Sequence, residues 1–365
     1  MLYKMSEKDK RKKIPIIFAV DDKYCGKLAV VIISILLNSK SSFDFYVLST
    51  EISEENERKL NSLIKKYSKN SELRIVNPSN LIKDDLSKML SKRKGYDYIS
   101  IETYYRFFIH KVLPEVDKAI YLDADLLVLG DISEVYNVEL GDAYAGVVID
   151  IWIHLRCQED DVETETRSGF KLSAYIQDVL GVNRHEYFNA GVLVLNLKKL
   201  RDSRMDERLL LFTKRFSPLE FQDQDALNAC FAGKVIFLDL AWNLVKDAKV
   251  IERNILDAEF QNKVHEANLK PKIIHYTGKK KPWIVNALEY DYIKEWWGIY
   301  LNTGYANSFE KGKFESILRS EKLKRYTPYL LIKCRNQELI HIYRENFRYC
   351  FVLFGRLICR KTIRI

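Results

Sequence analysis

The chain has 365 residues, is 47% hydrophobic and 12% aromatic, and carries 22 Tyr and 18 Phe; this excludes a disordered protein and provides for one large or two modest domains. The net charge of +9 is uneven: from Glu321 onward there are 11 Lys/Arg against 3 Glu, so the body is near neutral and the chain is not a uniformly basic nucleic-acid binder. Six scattered cysteines (Cys25, Cys157, Cys230, Cys334, Cys350, Cys359) without a C-x-x-C pair read as free thiols in a reducing compartment, not as a disulfide frame or zinc site. The charged start MLYKMSEKDKRKK, the missing cleavage-like flank and the lack of any run near ~20 apolar residues predict a protein made in the cytoplasm and kept there.

In chain order, residues 1–13 are a basic tail. IPIIFAV (14–20) is a buried strand stopped by Asp21-Asp22, and 24–38 is a helix ended by Asn38-Ser39. FDFYVLST (43–50) is a second strand, Ser53 opens a helix to about Lys69, and ELRIVN (72–77) is a third strand. Residues 100–112 have the pattern of an amphipathic helix ended by Pro114. KAIYLDADLLVLG and AYAGVVID (143–150) are further strand regions, QEDDVETET (158–166) is an acidic loop, GVLVLNLKKLR (191–201) runs from strand into helix, and QDQDALNACF (222–231) opens a helix. Strands alternating with helices give an α/β fold with a largely parallel sheet, whose ligands bind beyond the carboxyl ends of the strands.

Asp123-Ala124-Asp125 interrupts an apolar run. On a strand, alternation puts both carboxylates on one face, where they can grip one divalent cation; alone, the motif equally fits a solvated strand end. In HYTGKKKPW (275–283) the lone His275 fits a satisfied core histidine. Gly278 and the lysines after it instead suit a phosphate, and two carboxylates with one imidazole suit Mn²⁺ or Mg²⁺ carrying a diphosphate. FAVDDKY (18–24) fits either a helix cap or a base contact, with the aromatic stacking on the base. Asn189 in YFNAGVLVLN can read a sugar hydroxyl or make a turn; FQDQD (221–225) can do the same or cap a helix.

The order of these pieces resembles glycosyltransferase family 8, in particular its bacterial lipopolysaccharide and lipooligosaccharide galactosyl- and glucosyltransferases, over residues 14–285. The resemblance implies a GT-A fold, a Rossmann-like α/β domain that binds a UDP-sugar and Mn²⁺ and transfers the sugar with retention to a saccharide, possibly lipid-linked. By that resemblance Asp123, Asp125 and His275 hold Mn²⁺ (Mg²⁺ being the other candidate). Ala19, Asp21 and Tyr24 hold uridine, with a backbone contact from Ala124. Arg106, Asp150, Asn189, Asp223 and Gln224 surround the donor sugar, and Gly278 and Lys281 close over the diphosphate. Asp223 and Gln224 are the catalytic candidates, and UDP-galactose and UDP-glucose the candidate donors. Lys23 stands where Asn is usual, and Tyr98 where some relatives have His.

Residues 286–365 are expected to be a helical, basic extension. Within it Ile340, Tyr343, Phe347, Phe354 and Leu357 fall at helical spacing over 338–358, with Arg344 and Arg348 one turn apart. This predicts either a helix packed on the catalytic domain or, preferred here, an interfacial helix on the inner face of the cytoplasmic membrane. Two other functions compete: a HAD-type phosphatase using the D-x-D, and a membrane-bound UDP-sugar sensor without turnover. The first leaves HYTGKKKPW unexplained and lacks the residue expected after the second Asp, where Leu126-Leu127 stand.

Overall fold

The computed structural model describes residues 13–79, 101–158, 166, 169–255, 257–278, 281–284 and 292–319, with four strands between 328 and 362. Residues 1–12, Tyr98, residues 159–165 and Lys279–Lys280 lie outside them. The chain divides into two compact units, Met1–Tyr305 and Ala306–Ile365.

Seven strands form the main sheet of the first unit: β1 (Ile14–Ala19), β2 (Phe43–Leu48), β3 (Glu72–Val76), β4 (Lys118–Leu122), β6 (Ala145–Ile149), β7 (Phe188–Asn196) and β8 (Val235–Phe237), in the order β3-β2-β1-β4-β7-β6-β8. All run parallel except β7, which pairs antiparallel with β4 and β6. The side chains of the central strands β1, β2, β4, β6 and β7 are buried nearly throughout, because helices cover both faces of such a sheet, and this is why they read as continuous apolar runs; the outer strands β3 and β8 are half-buried to exposed. A second sheet, β5-β10-β9, joins β5 (Leu126–Val128), β9 (Leu244–Val245) and β10 (Ile273–His275).

Helix α1 (Cys25–Asn38) is apolar all round and buried on almost every side. It also holds β5: Val128 N–H donates to Ser34 Oγ (3.1 Å), and Asn38 Nδ2 donates to the Val128 carbonyl (3.0 Å). Helix α2 (Glu54–Tyr67) starts where predicted, with Ser53 Oγ accepting from Asn56 N–H. Asp22 joins α2 to the end of β1 by accepting from Ser53 N–H and Asn56 Nδ2, both at 2.8 Å.

Three expectations change. Residues 101–112 are helical, but Ile101–Phe108 winds as a 3₁₀ helix and only Ile109–Val112 as α. Arg106 Nε donates to the carbonyl of Thr103, three residues back, a local bond that supports the tighter winding. Second, Asp123-Ala124-Asp125 is not on a strand: it is the link between β4 and β5, where the chain leaves one sheet for the other.

Third, the described residues of 338–358 are strands and not an interfacial helix. Among its described residues the second unit has one helix, Ser308–Arg319, and an antiparallel sheet of β11 (Pro328–Cys334), β12 (Gln337–Glu345), β13 (Arg348–Leu353) and β14 (Arg356–Thr362). Leu, Ile and Tyr supply most of the apolar residues of these segments, and Asn336, Asn346 and Gly355 recur between them in the sequence at about ten-residue intervals. That is hairpin composition, which the spacing of the apolar residues mimics as a helix. No helix among the described residues is long and apolar enough to cross a membrane.

Burial raises the thiol pKa of Cys25 to about 12 and of Cys230 to about 11, and Cys157 is also buried. A thiol-reactive dye should therefore leave these three unmodified at pH 8 until the protein is unfolded, as peptide mapping of the labelled sites would show.

Candidate active site

A cavity of about 460 Å³ opens at the carboxyl ends of the central strands, lined by Arg106, Asp123, Asp125, the Asn189–Gly191 backbone, the Gln222–Gln224 turn, His275 and Gly278. The β4–β5 link supplies the carboxylates, and backbone bonds fix it from both sides. Asp123 N–H donates to the Gly191 carbonyl (2.9 Å), and Tyr276 N–H donates to the Asp125 carbonyl (3.0 Å). Because β10 pairs with β5, His275 is carried across from 150 residues away. Its Nε2 lies 3.2 Å from Asp125 Oδ1 and 3.9 Å from Asp123 Oδ2, and one ligand atom of each residue lies within 4.8 Å of the others.

This donor set fits a hard divalent cation. His275 Nδ1 is 2.9 Å from Asn243 Oδ1, so Nδ1 carries the proton and the Nε2 lone pair faces two carboxylates. Lone pair against lone pair is repulsive unless a cation stands between them. Lys281 partly plays that part: its Nζ donates to Asp125 Oδ2 and to the Tyr276 carbonyl (2.8 Å). Burial pushes the Asp125 pKa up, but the Lys281 ammonium outweighs it and holds this carboxyl well below the usual range. Gly278 sits at φ +73°, which a side chain would strain, and this bends the chain between His275 and Lys281.

Gly191 is needed for a different reason, close approach. A Cβ there would lie 2.2 Å from His275 Cε1 and 2.9 Å from Asp123 Oδ2. Gly191→Ala should weaken Mn²⁺ binding at least about tenfold, as expected when ligands are displaced, and lower stability by about 1–3 kcal/mol from overpacking. A metal titration and a denaturant melt read the two effects separately.

Arg106 is almost wholly buried and joins the two sides of the cavity. It donates from Nη2 to Asp123 Oδ1 (3.0 Å) and from Nη1 to the Ala190 carbonyl (2.8 Å), and its Nε lies 3.1 Å from Asp223 Oδ2. Burial lowers the guanidinium pKa, but Asp123 and Asp223 more than restore it. Burial also raises the Asp223 pKa, to about 6 even beside Arg106. Gln222, just before, is held at φ +58°, a strained turn that projects Asp223 and Gln224 from the start of their helix.

Gln224 donates to Asp150 Oδ2 (3.1 Å) and accepts from Ala190 N–H (3.0 Å), and Asn189 Nδ2 donates to the same Asp150 oxygen (3.0 Å). The five residues predicted around a sugar are thus one connected polar group. Asp21 does cap a short turn, accepting from Tyr24 N–H (3.0 Å), so the structural reading of FAVDDKY is correct as far as it goes. Tyr24 remains partly exposed, edge-on to Trp283 at 6.0 Å, and feels the charges of Lys281, Asp125 and Asp123. Ala19 ends β1, and Ala124 lies in the link between β4 and β5.

The family model for glycosyl transferase family 8 matches residues 15–287. The chain belongs to glycosyltransferase family 8. This family 8 chain is 29% identical over 269 residues to the lipopolysaccharide 1,2-glucosyltransferase of Escherichia coli K12, covering 73% of this chain and 71% of that one. Among solved structures it resembles the galactosyltransferase LgtC, crystallised with donor and acceptor sugar analogues, at 25% identity and TM-score 0.66, over 82% of this chain and all of that one. It also resembles the bifunctional glycosyltransferase WbbM at 25% identity and TM-score 0.69; the match covers 84% of this chain but only about half (52%) of WbbM. The α/β fold of this glycosyltransferase is therefore GT-A, and the phosphatase and sensor readings have no support.

Several residues of the site had no signal in the sequence. Tyr121 donates to Asp123 Oδ1 (2.9 Å), Lys246 donates to the Thr277 carbonyl, and Asn243 contacts His275. Tyr187 lies 3.4 Å from Gln224 Nε2 and donates to Asp225. Each sits in an apolar or ordinary stretch, and only tertiary structure brings it to the cavity.

Proposed function

We propose that this glycosyltransferase transfers a hexose from UDP-galactose or UDP-glucose to a saccharide acceptor, with retention and with Mn²⁺ (or Mg²⁺), in lipopolysaccharide, lipooligosaccharide or related cell-surface glycan synthesis. The observation that carries the reading is the meeting of an Asp123–Asp125–His275 cation site with the Asp150–Asn189–Gln224 polar group in one cavity. The relatives named for glucosyl and galactosyl transfer support the choice of donor.

In this reading uridine lies against Ala19, Asp21 and Tyr24 with a contact from the Ala124 backbone, while Gly278 and Lys281 close over the diphosphate. A cation held by Asp123, Asp125 and His275 would supply positive charge to the departing diphosphate. Lys281 adds a second charge where negative charge develops. Asp150, Asn189, Asp223 and Arg106 orient the hexose. Retention requires either a covalent intermediate or attack from the face the leaving group departs. Gln224 is an amide, a poor nucleophile, whose oxygen is engaged by Ala190 N–H, and Asp223 is paired with Arg106. These contacts support front-side attack, with the β-phosphate oxygen receiving the acceptor proton, over a covalent intermediate on Asp223. A glycosyl-enzyme trapped on Asp223 would reverse that conclusion.

The test is UDP release with Mn²⁺ across a panel of UDP-sugars, with and without saccharide and lipid-linked acceptors. Turnover confined to UDP-galactose or UDP-glucose is expected; no UDP release from either would refute the reading. We further propose peripheral attachment to the cytoplasmic membrane, which rests on the excess of Lys/Arg after residue 320 and no longer on an interfacial helix. A protein cut at Glu321 that still sediments with membranes would refute it.

A further inference from the structure

Asn243 lies in AWNLV, is almost fully buried, and is the residue against which His275 rests. Its orientation is fixed by a line of bonds that begins at a carboxylate. Asp150 Oδ2 can only accept, so the Asn189 atom 3.0 Å away is the amide nitrogen. Asn189 Oδ1 accepts from Gly191 N–H (2.9 Å), which agrees. The Asn243 atom 3.0 Å from Asn189 Oδ1 must then be Nδ2, which leaves Asn243 Oδ1 to accept from His275 Nδ1–H at 2.9 Å. Flipping any one amide puts acceptor against acceptor or donor against donor. The line has one direction, and it ends with the His275 Nε2 lone pair aimed at Asp123 and Asp125.

We propose that Asn243 is a positioning residue that locks His275 in its cation-binding tautomer. Through Asn189 it also ties the cation-binding edge of the site to the sugar-binding edge at Asp150 and Gln224. The proposal rests on the assignment of the cation and donor-sugar residues made above. Without Asn243, the ring is free to rotate or to carry its proton on Nε2, where it would oppose a cation. Partners of this kind on the far nitrogen of a ligating histidine are commonly worth 10–100-fold in metal affinity.

The two ends of Asn243 can be separated. Asn243→Ala removes both. Asn243→Asp has the same shape and still accepts from His275, but it cannot donate to Asn189 and sets a carboxylate against that amide oxygen.

The experiment measures Mn²⁺ binding by the loss of the free-ion EPR signal, using the full chain without nucleotide, alongside KM for the UDP-sugar at saturating Mn²⁺. Wild type, Asp125→Ala, His275→Ala, Asn243→Ala, Asn243→Asp and the Asn243→Ala/His275→Ala double variant are compared. Mn²⁺ affinity should fall about 10–100-fold in Asn243→Ala, with no further fall when that change is added to His275→Ala. In Asn243→Asp it should stay within about threefold of wild type or tighten, while KM for the UDP-sugar rises at least about fivefold.

Wild-type Mn²⁺ affinity in Asn243→Ala, or an equal loss with and without His275, overturns the proposal. If Asn243→Ala does not fold, the isosteric Asn243→Asp decides: an Mn²⁺ loss as large as that of His275→Ala overturns it. Mn²⁺ binding that Asp125→Ala and His275→Ala leave intact would instead overturn the cation assignment itself.

Discussion

Asp125→Ala is expected to abolish turnover, by at least about 10³-fold in kcat/KM, and to leave the fold intact. The loss is that of charge stabilisation on the departing diphosphate, a matter of several kcal/mol at about 1.4 kcal/mol per tenfold. The fold survives because Lys281 keeps its bond to the Tyr276 carbonyl and the β5–β10 pairing does not involve the carboxylate. The same change has a signature in pH. In the metal-free protein Asp125 is held well below its ordinary pKa of 3.8 by Lys281. Its ion pairs therefore stabilise the fold above that value, and the contribution fades as pH falls below it. Chemical melts at pH 7 and pH 3 should show a smaller acid loss in Asp125→Ala than in wild type. Unchanged turnover would remove Asp125 from the cation site.

Asp225→Ala should be the most damaging change to stability among the polar residues near the cavity. Asp225 is completely buried and has no cation beside it. It instead accepts three bonds, from Tyr187 Oη (2.6 Å), Tyr175 Oη (2.8 Å) and Phe221 N–H (2.8 Å). Burial raises its pKa, and these bonds pull against that rise. Alanine leaves two buried hydroxyls and a backbone N–H unanswered; at about 1–3 kcal/mol each, relieved in part by entering water, the loss is about 4 kcal/mol. For a unit of this size that lowers Tm by roughly 6–8 °C. Asp225→Asn keeps one acceptor and should cost about 1–2 kcal/mol. Activity should fall as well, because the Phe221 bond anchors the turn that carries Asp223 and Gln224. A calorimetric scan of the two variants checks the ranking, and equal melting of Asp225→Ala and wild type would contradict it.

The central strands β1, β2, β4, β6 and β7 were readable because they are buried on both faces, so composition alone marks them, whereas the short, half-exposed β8 carried no such mark. The carboxylates closing β1, β4 and β6 were readable because a charge after an apolar run has few other reasons to be there. Their local geometry was not: Asp123 and Asp125 converge through a turn between two sheets, and nothing in LDADLL says that the chain changes sheets. Asn243 was invisible because its partners lie 54 and 32 residues away, and an asparagine after Trp242 has no local pattern. The C-terminal strands were misread because Ile340, Tyr343 and Phe347 fit helical spacing; the Asn and Gly that recur in the sequence between the segments carried more information than the apolar residues did.

The pairing of β10 with β5 also sets an order of events during synthesis. The ribosome releases Asp123 and Asp125 long before His275, and β5 lacks its β10 edge until then. A growing chain therefore holds the carboxylates and the Asp150–Asn189–Gln224 group while it still lacks the histidine and Lys281. Full cation capture comes late, after most of the first unit has emerged, so unfinished chains do not hold a complete cation site.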